Sequence, residues 1–394
     1  MNATHQTLHT KAWQFVVLVG VVSLFADMTY EGARSITGQY LALLGASATV
    51  IGIVAGLGEF IGYAFRLLAG TIADKTRRYW ALTLLGYAVN VTAVPALALV
   101  GRWETAASLM FAERFGKALR TPARDAMLSY AASQTGRGIA FGIHEALDQT
   151  GAILGPILMA IVLQWRNDYR FGFLTLLAPA LLTLLVLLIA WRFYPQPQHL
   201  EIAPTASSTA LPRRFWRYLV FASLAVAGFP HFQLLAYHFK VTACLPEALI
   251  PAAFGLAMAT DAIAALAMGR WFDRIGLTLL VAVPLITFAA ALALFTHLSA
   301  SAWLGMILWG IVMGAQESVM RAAIAEMATR ERRASAYGIF NAAYGLAWLL
   351  GGTTMGWLYD HHSVNGLLTF IALMQIASLP FLFSAIKPEG WEVQ

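Results

Sequence analysis

The chain has 394 residues, a formal net charge of +6, 59% apolar residues and only 12% charged ones, where soluble domains run at about 45–50% and 25%. That balance excludes a soluble globular protein and predicts an integral membrane protein. A single cysteine, Cys244, excludes an intramolecular disulfide. With no Walker loop, nucleotide-binding glycine motif or Cys/His metal spacing, neither an ATP-driven pump nor an enzyme is expected, and no cofactor or bound metal.

In chain order, apolar stretches predict twelve spanning helices near 12–37, 48–70, 80–100, 105–127, 138–164, 170–194, 215–240, 247–270, 277–297, 301–325, 334–359 and 363–386, since a span needs about 20 residues. Lys11 before an apolar run imitates a signal peptide. Asp27, Glu31 and Arg34 follow without a small-residue cleavage pattern, so the first helix is predicted to stay uncleaved. Residues 195–214, rich in Pro, Ser, Thr and Ala, read as a linker between six-helix bundles at 1–194 and 215–394. Internal echoes support two repeats: Gly70 to Asp74 matches Gly269 to Asp273, and Arg124 to Gly142 is echoed by Arg321 to Gly338. Fifteen basic residues fall in loops on one side, against Arg102, Arg166, Arg170 and Lys240 on the other. This bias places both termini and the linker in the cytoplasm, making the basic pI a topology signal and giving no reason to expect nucleic acid as a partner.

A charge in mid-bilayer costs at least about 2.5–3.5 kcal/mol, so intramembrane charges usually face a cavity or a partner. Asp27, Glu31 and Arg34 share one face of the first helix, and Glu59, Tyr63 and Arg66 repeat that spacing on the second. Glu113, Lys117, Arg120 and Arg124 form a stripe on the fourth, with Arg114 beside it, and His144 and Asp148 lie four apart on the fifth, with Glu145 adjacent. Two explanations compete: acids and bases pair to fix register, as Glu31 with Arg34 or Glu113 with Lys117, or carboxylates in a low-dielectric cavity carry protons. Asp27, Glu31, Glu113 and Asp148 are the proton-coupling candidates. The candidate substrate cavity joins Arg34, Arg114 and Lys117 to His231, His238, Asp261, Trp309, Asn341 and Tyr344 of the second half, with Gln316 and Glu317 nearby. Lacking a third ligand, the two histidines do not make a metal site.

Two motifs carry a resemblance. Gly142, Gly151, Gly155 and Pro156 form G-x8-G-x3-G-P, and Gly70-Thr-Ile-Ala-Asp74-Lys-Thr-Arg-Arg78 lies between the second and third spans. They resemble the antiporter signature of the fifth helix and the loop signature of major facilitator superfamily transporters. The first departs from its pattern at Met159 and Ala160, the second at Thr76, where the family has glycine. The resemblance implies an all-α fold of two pseudo-symmetric six-helix bundles, with substrate between them and alternating access. It also implies a gate network of Asp74, Arg78 and Asp125, and a glycine row meeting the second half.

Taken together, these features predict a secondary transporter of the inner membrane, a monomer in lipid. It is expected to exchange protons for a small organic or amphiphilic compound that it exports. An uptake or exchange carrier for an anionic metabolite or metal chelate is the alternative, and a non-transporting receptor or scaffold is a more distant one.

Overall fold

The computed structural model of the chain describes residues 3–135, 137–195, 211–327 and 333–386. The linker expected at 195–214 lies outside them apart from its two ends. The described residues contain fourteen α-helices and no strand: α1 (Ala3–Leu43), α2 (Ala48–Thr76), α3 (Tyr79–Ala96), α4 (Trp103–Thr135), α5 (Arg137–Arg166), α6 (Tyr169–Thr175), α7 (Leu177–Phe193), α8 (Arg213–Ala227), α9 (Phe232–Thr242), α10 (Ile250–Ile275), α11 (Ala282–Leu294), α12 (Ser299–Gly314), α13 (Met320–Met327) and α14 (Arg333–Ile386). All twelve predicted spans fall on helix. Nine stretches of the described residues are long and apolar enough to cross a membrane, one of them, Glu247–Leu294, holding two predicted spans. Leu181, Leu185, Ile263 and Leu266 are more than half exposed, as side chains that meet lipid should be.

The breaks have local causes. The seventh predicted span divides between α8 and α9 over Gly228–His231, where Pro230 supplies no backbone N–H. In the tenth, a π-helical turn at Ala315–Val319 separates α12 from α13. The turn expected near 359–363 lies inside a continuous helical stretch, yet the chain does reverse. Gly351 lies against Ala227, and Gln375 donates to the Ala225 carbonyl at 2.8 Å. A straight helix would hold those two residues about 36 Å apart. After α2, where Thr76 replaces the family's glycine, the turn closes through Arg77 at φ 53°, whose amide donates to the Ala73 carbonyl at 2.8 Å. A left-handed residue at that position terminates a helix whichever side chain carries it.

By internal packing the chain divides into two units, residues 1–36 with 64–204, and residues 37–63 with 205–394. In the first, glycines permit two backbone-on-backbone crossings. A Cβ on Gly86 would lie 2.8 Å from the Gly116 carbonyl, so α3 and α4 touch directly. On α5, Gly155 faces α1, where a Cβ would lie 2.8 Å from the Gly32 nitrogen, and one on Gly151 would collide with the Leu24 carbonyl. In the second unit, Trp309 is fully buried among Phe229, Phe232 and Phe254. Residues 37–63, which the sequence assigns to the first bundle, belong to this unit because glycines admit them. A Cβ on Gly56 would lie 2.7 Å from the Leu349 Cα, Gly52 abuts Gly352, and Gly38 abuts Gln233.

Candidate functional site

The first unit concentrates charge where α1, α4 and α5 meet. Because Gly151 and Gly155 press α5 against the Leu24–Gly32 segment of α1, Asp27 and Asp148 come into register and their side chains hydrogen-bond each other. Two carboxylates cannot do so without a proton, so one is held between them. Arg120, 1% exposed, places Nη2 4.0 Å from Asp27 Oδ1 and its guanidinium 4.1 Å from the Tyr87 ring centre. Lys117 sits with Nζ 3.7 Å from the centre of the Tyr30 ring. Asp27 Oδ1, Asp148 Oδ1, and Nε and Nη1 of Arg120 are buried without a hydrogen-bond partner. Such unsatisfied groups are expensive, and they cluster at a single place.

Around this centre run two further chains of contact. His144 Nε2 is 2.8 Å from Ser23 Oγ, which accepts from Arg124 Nη1 at 3.1 Å, and Arg124 in turn grips Asp125 at 2.8 and 2.9 Å. Toward the other end, Arg34 and Glu31 pair at 3.5 Å, and Arg114 and Glu113 at 3.3 Å. The pair expected between Glu113 and Lys117 gives way to a different one. Asn90, on α3 and brought in by the Gly86–Gly116 crossing, donates to Glu113 Oε1 at 2.7 Å, while Lys117 turns to Tyr30. Glu145 is exposed.

The glycine signature divides. Gly151 and Gly155, with buried Pro156 after them, have α1 of their own unit as nearest neighbour. This corrects the expectation of a partner from residues 215–394, because the flat surface admits the adjacent helix backbone first. Gly142 is exposed and would meet nothing within 4 Å. Of the gate residues, the Asp74 side chain lies outside the described residues. Gly70 faces Pro122 at 3.6 Å, Arg78 is exposed before α3, and Asp125 pairs with Arg124.

In the second unit most of the expected cavity residues are packing groups. Trp309 donates to the Pro230 carbonyl at 3.0 Å, and His231, 1% exposed, lies 3.2 Å from the Trp348 carbonyl. His238 Nδ1 is 2.8 Å from Tyr359 Oη, and Asp261 is buried on α10. Asn341 and Tyr344 do line a cleft, together with Tyr63, Gln316, Glu317 and Phe340. No group of three or more His, Cys, Asp or Glu among the described residues is arranged to hold a metal.

One acidic residue the sequence did not single out is Asp360. Its carboxylate accepts from the Ala48 amide at 3.1 Å, the Thr49 amide at 2.8 Å and the Thr49 hydroxyl at 2.6 Å, capping α2 from 312 residues away. Burial alone would raise its pKa, but the hydrogen bonds from Thr49, Ser47 and Ala48 outweigh that and hold it below the ordinary carboxylate value. Arg120, Ser23, Tyr30 and Tyr87 also belong to the site without having been assigned to it. The stripe spacing of α4 already pointed to Arg120. No sequence signal marks the other three.

The Major Facilitator Superfamily model matches residues 18–243 and 233–393. An uncharacterized protein of Mycobacterium tuberculosis (strain H37Rv) is 42% identical over 98% of this chain and 96% of its own. An uncharacterized MFS-type transporter of Methanocaldococcus jannaschii is 27% identical over 93% and 94%. Among solved structures, a POT family transporter in complex with 5-aminolevulinic acid superposes with a TM-score of 0.75 at 15% identity, covering 94% of this chain and 96% of that one. The nucleoside transporter NupG (D323A mutant) gives 0.73 at 14% identity, covering 94% and 99%. At that identity these likenesses speak for the fold.

Proposed function

The chain belongs to the Major Facilitator Superfamily and is a secondary transporter of that type, and from that premise we propose that it is a proton-coupled antiporter exporting a small organic, amphiphilic compound. In this proposal it acts as a monomer by alternating access, with both termini and the 195–214 linker in the cytoplasm. The observation that supports coupling is the hydrogen bond between Asp27 and Asp148, set beside Arg120 and Lys117. With one shared proton the pair carries a single negative charge. A second proton neutralises it and leaves Arg120 facing an uncharged partner, and loss of the first sets two negative charges against each other. Either event changes the forces between α1, α4 and α5, which touch backbone to backbone at the glycines. Charge state thus becomes helix position. Glu31 and Glu113, each already paired with an arginine, complete the proton-coupling set in secondary roles.

Proteoliposomes with an imposed pH gradient test this. Solute should move against its gradient when protons run down theirs, and Asp27→Asn or Asp148→Asn should abolish the drive while solute counterflow survives. Full response of both variants to the gradient would refute the assignment. The alternative of an anion carrier draws on Arg34, Arg114 and Lys117, and predicts that an organic anion, not a cation, elicits counterflow.

A further inference from the structure

The cleft in the second unit has a composition unlike the charge cluster. Its walls are Tyr63, Phe340 and Tyr344, its polar groups Gln316, Glu317 and Asn341, and no basic side chain lines it. Phe340 and Tyr344 stack with ring centres 5.3 Å apart and planes at 29°, and Tyr63 meets Tyr344 edge-on at 5.2 Å. Gln316 and Glu317 lie on the π-helical turn Ala315–Val319. A π-turn forfeits regular i→i+4 bonding and persists mostly at functional sites. Here it delivers two consecutive side chains to one cleft.

Gln316 is 2% exposed, its Oε1 accepts from Tyr344 Oη at 2.8 Å, and its Nε2 has no partner among the described residues. A buried amide group left unmade costs about 1–3 kcal/mol. Whichever way the amide is turned, Tyr344 satisfies one end and the other points to an absent group. The atom-free space, about 220 Å³ with its open mouth, falls below the roughly 300–1,000 Å³ of pockets that enclose a drug-sized ligand. It suits one end of a molecule.

We propose that this niche anchors the cationic, hydrogen-bonding end of a flat organic compound, an aromatic amine or amidine. The aromatic faces take the ring and its positive charge, Glu317 accepts the charged N–H groups, and Gln316 completes the set. An organic anion would meet the Glu317 carboxylate with no compensating base. The assignment of this ligand as the transported compound rests on the export proposal above, but binding at the niche does not.

The test uses purified full-length protein and three flat probes of similar size: benzamidine, benzamide and benzoate. Benzamidine is expected to raise the melting temperature in a saturable way, and benzamide and benzoate to bind at least tenfold more weakly. Glu317→Gln should weaken benzamidine at least tenfold with the ligand-free melting temperature unchanged. Gln316→Leu should weaken it several-fold, and Asp27→Asn should leave it alone. Absence of benzamidine binding, equal binding of benzoate, or full affinity in Glu317→Gln would overturn the niche. Selective benzamidine binding without pH-driven transport would sink the coupling proposal and leave the niche standing; the reverse pattern would sink the niche alone.

Discussion

Replacing Asp360 by alanine should loosen the outer end of α2. The carboxylate caps the first turn through two amides and one hydroxyl at 2.6–3.1 Å. The turn contains no acid of its own and keeps only Ser47, whose hydroxyl accepts from the Val50 amide at a longer 3.3 Å. Loss of a cap costs about 0.5–2 kcal/mol, and loss of the negative charge facing the helix dipole removes about 0.3–1 kcal/mol more where exposed. We take about 1–2 kcal/mol, because Asp360 is itself exposed and screening cuts the electrostatic part. At 1.4 kcal/mol per tenfold, the ratio of docked to undocked α2 should fall roughly five- to thirtyfold. The reporter is a cysteine at Ala55, which is 5% exposed and lies one helical turn from Gly52, introduced after Cys244→Ser. Labelling of intact cells with a membrane-impermeant maleimide should accelerate by that factor in Asp360→Ala. Asp360→Asn, which keeps one acceptor, should fall between. Glu247→Ala, which breaks the separate Lys240 pair at 2.6 Å, should do nothing. Rates within twofold of each other would show that the cap does not hold α2 in place.

The depressed pKa of Asp360 gives this contact a pH profile: its contribution is complete above the unfolded value of about 3.9 and is lost only as pH falls through the lower folded value. Ala55→Cys labelling should therefore be flat from pH 8 to 5.5 and rise only under stronger acid. Gly151→Leu forces a side chain into the Leu24 carbonyl; overpacking of this kind costs about 1–3 kcal/mol or more, so yield and melting temperature should drop, while Gly142→Leu, with open space around it, should match the wild type in both. Cysteine introduced at Ser207 should resist an impermeant thiol reagent in intact cells if the linker is cytoplasmic, and rapid labelling would reverse the proposed topology.

Much of this architecture is legible from side-chain chemistry alone, because charges and glycines are rare in lipid and their spacing survives without knowledge of partners. Asp27, Glu31 and Arg34 fall on one face of α1, and that arithmetic is local. The partner of each charge is not. Lys117 could have answered Glu113 along its own helix, but the Gly86–Gly116 crossing brings Asn90 there first. The same limit explains the fifth helix. Three glycines announce a close approach without naming the neighbour, and the backbone chose α1, which is what makes a hydrogen bond between Asp27 and Asp148 possible. Trp309 and His231 failed as cavity residues for a different reason: an aromatic count cannot separate a wall from a core, and both donate or accept inside the core. Asp360 and the π-turn at Ala315–Val319 leave no sequence trace at all. One is a cap supplied across 312 residues, the other a backbone irregularity whose only advance sign is the pair of polar residues it presents. Both lie where function is proposed. A chain that must hold charge in lipid and still change shape keeps its irregular contacts at the places that move, and those are the contacts local patterns do not encode.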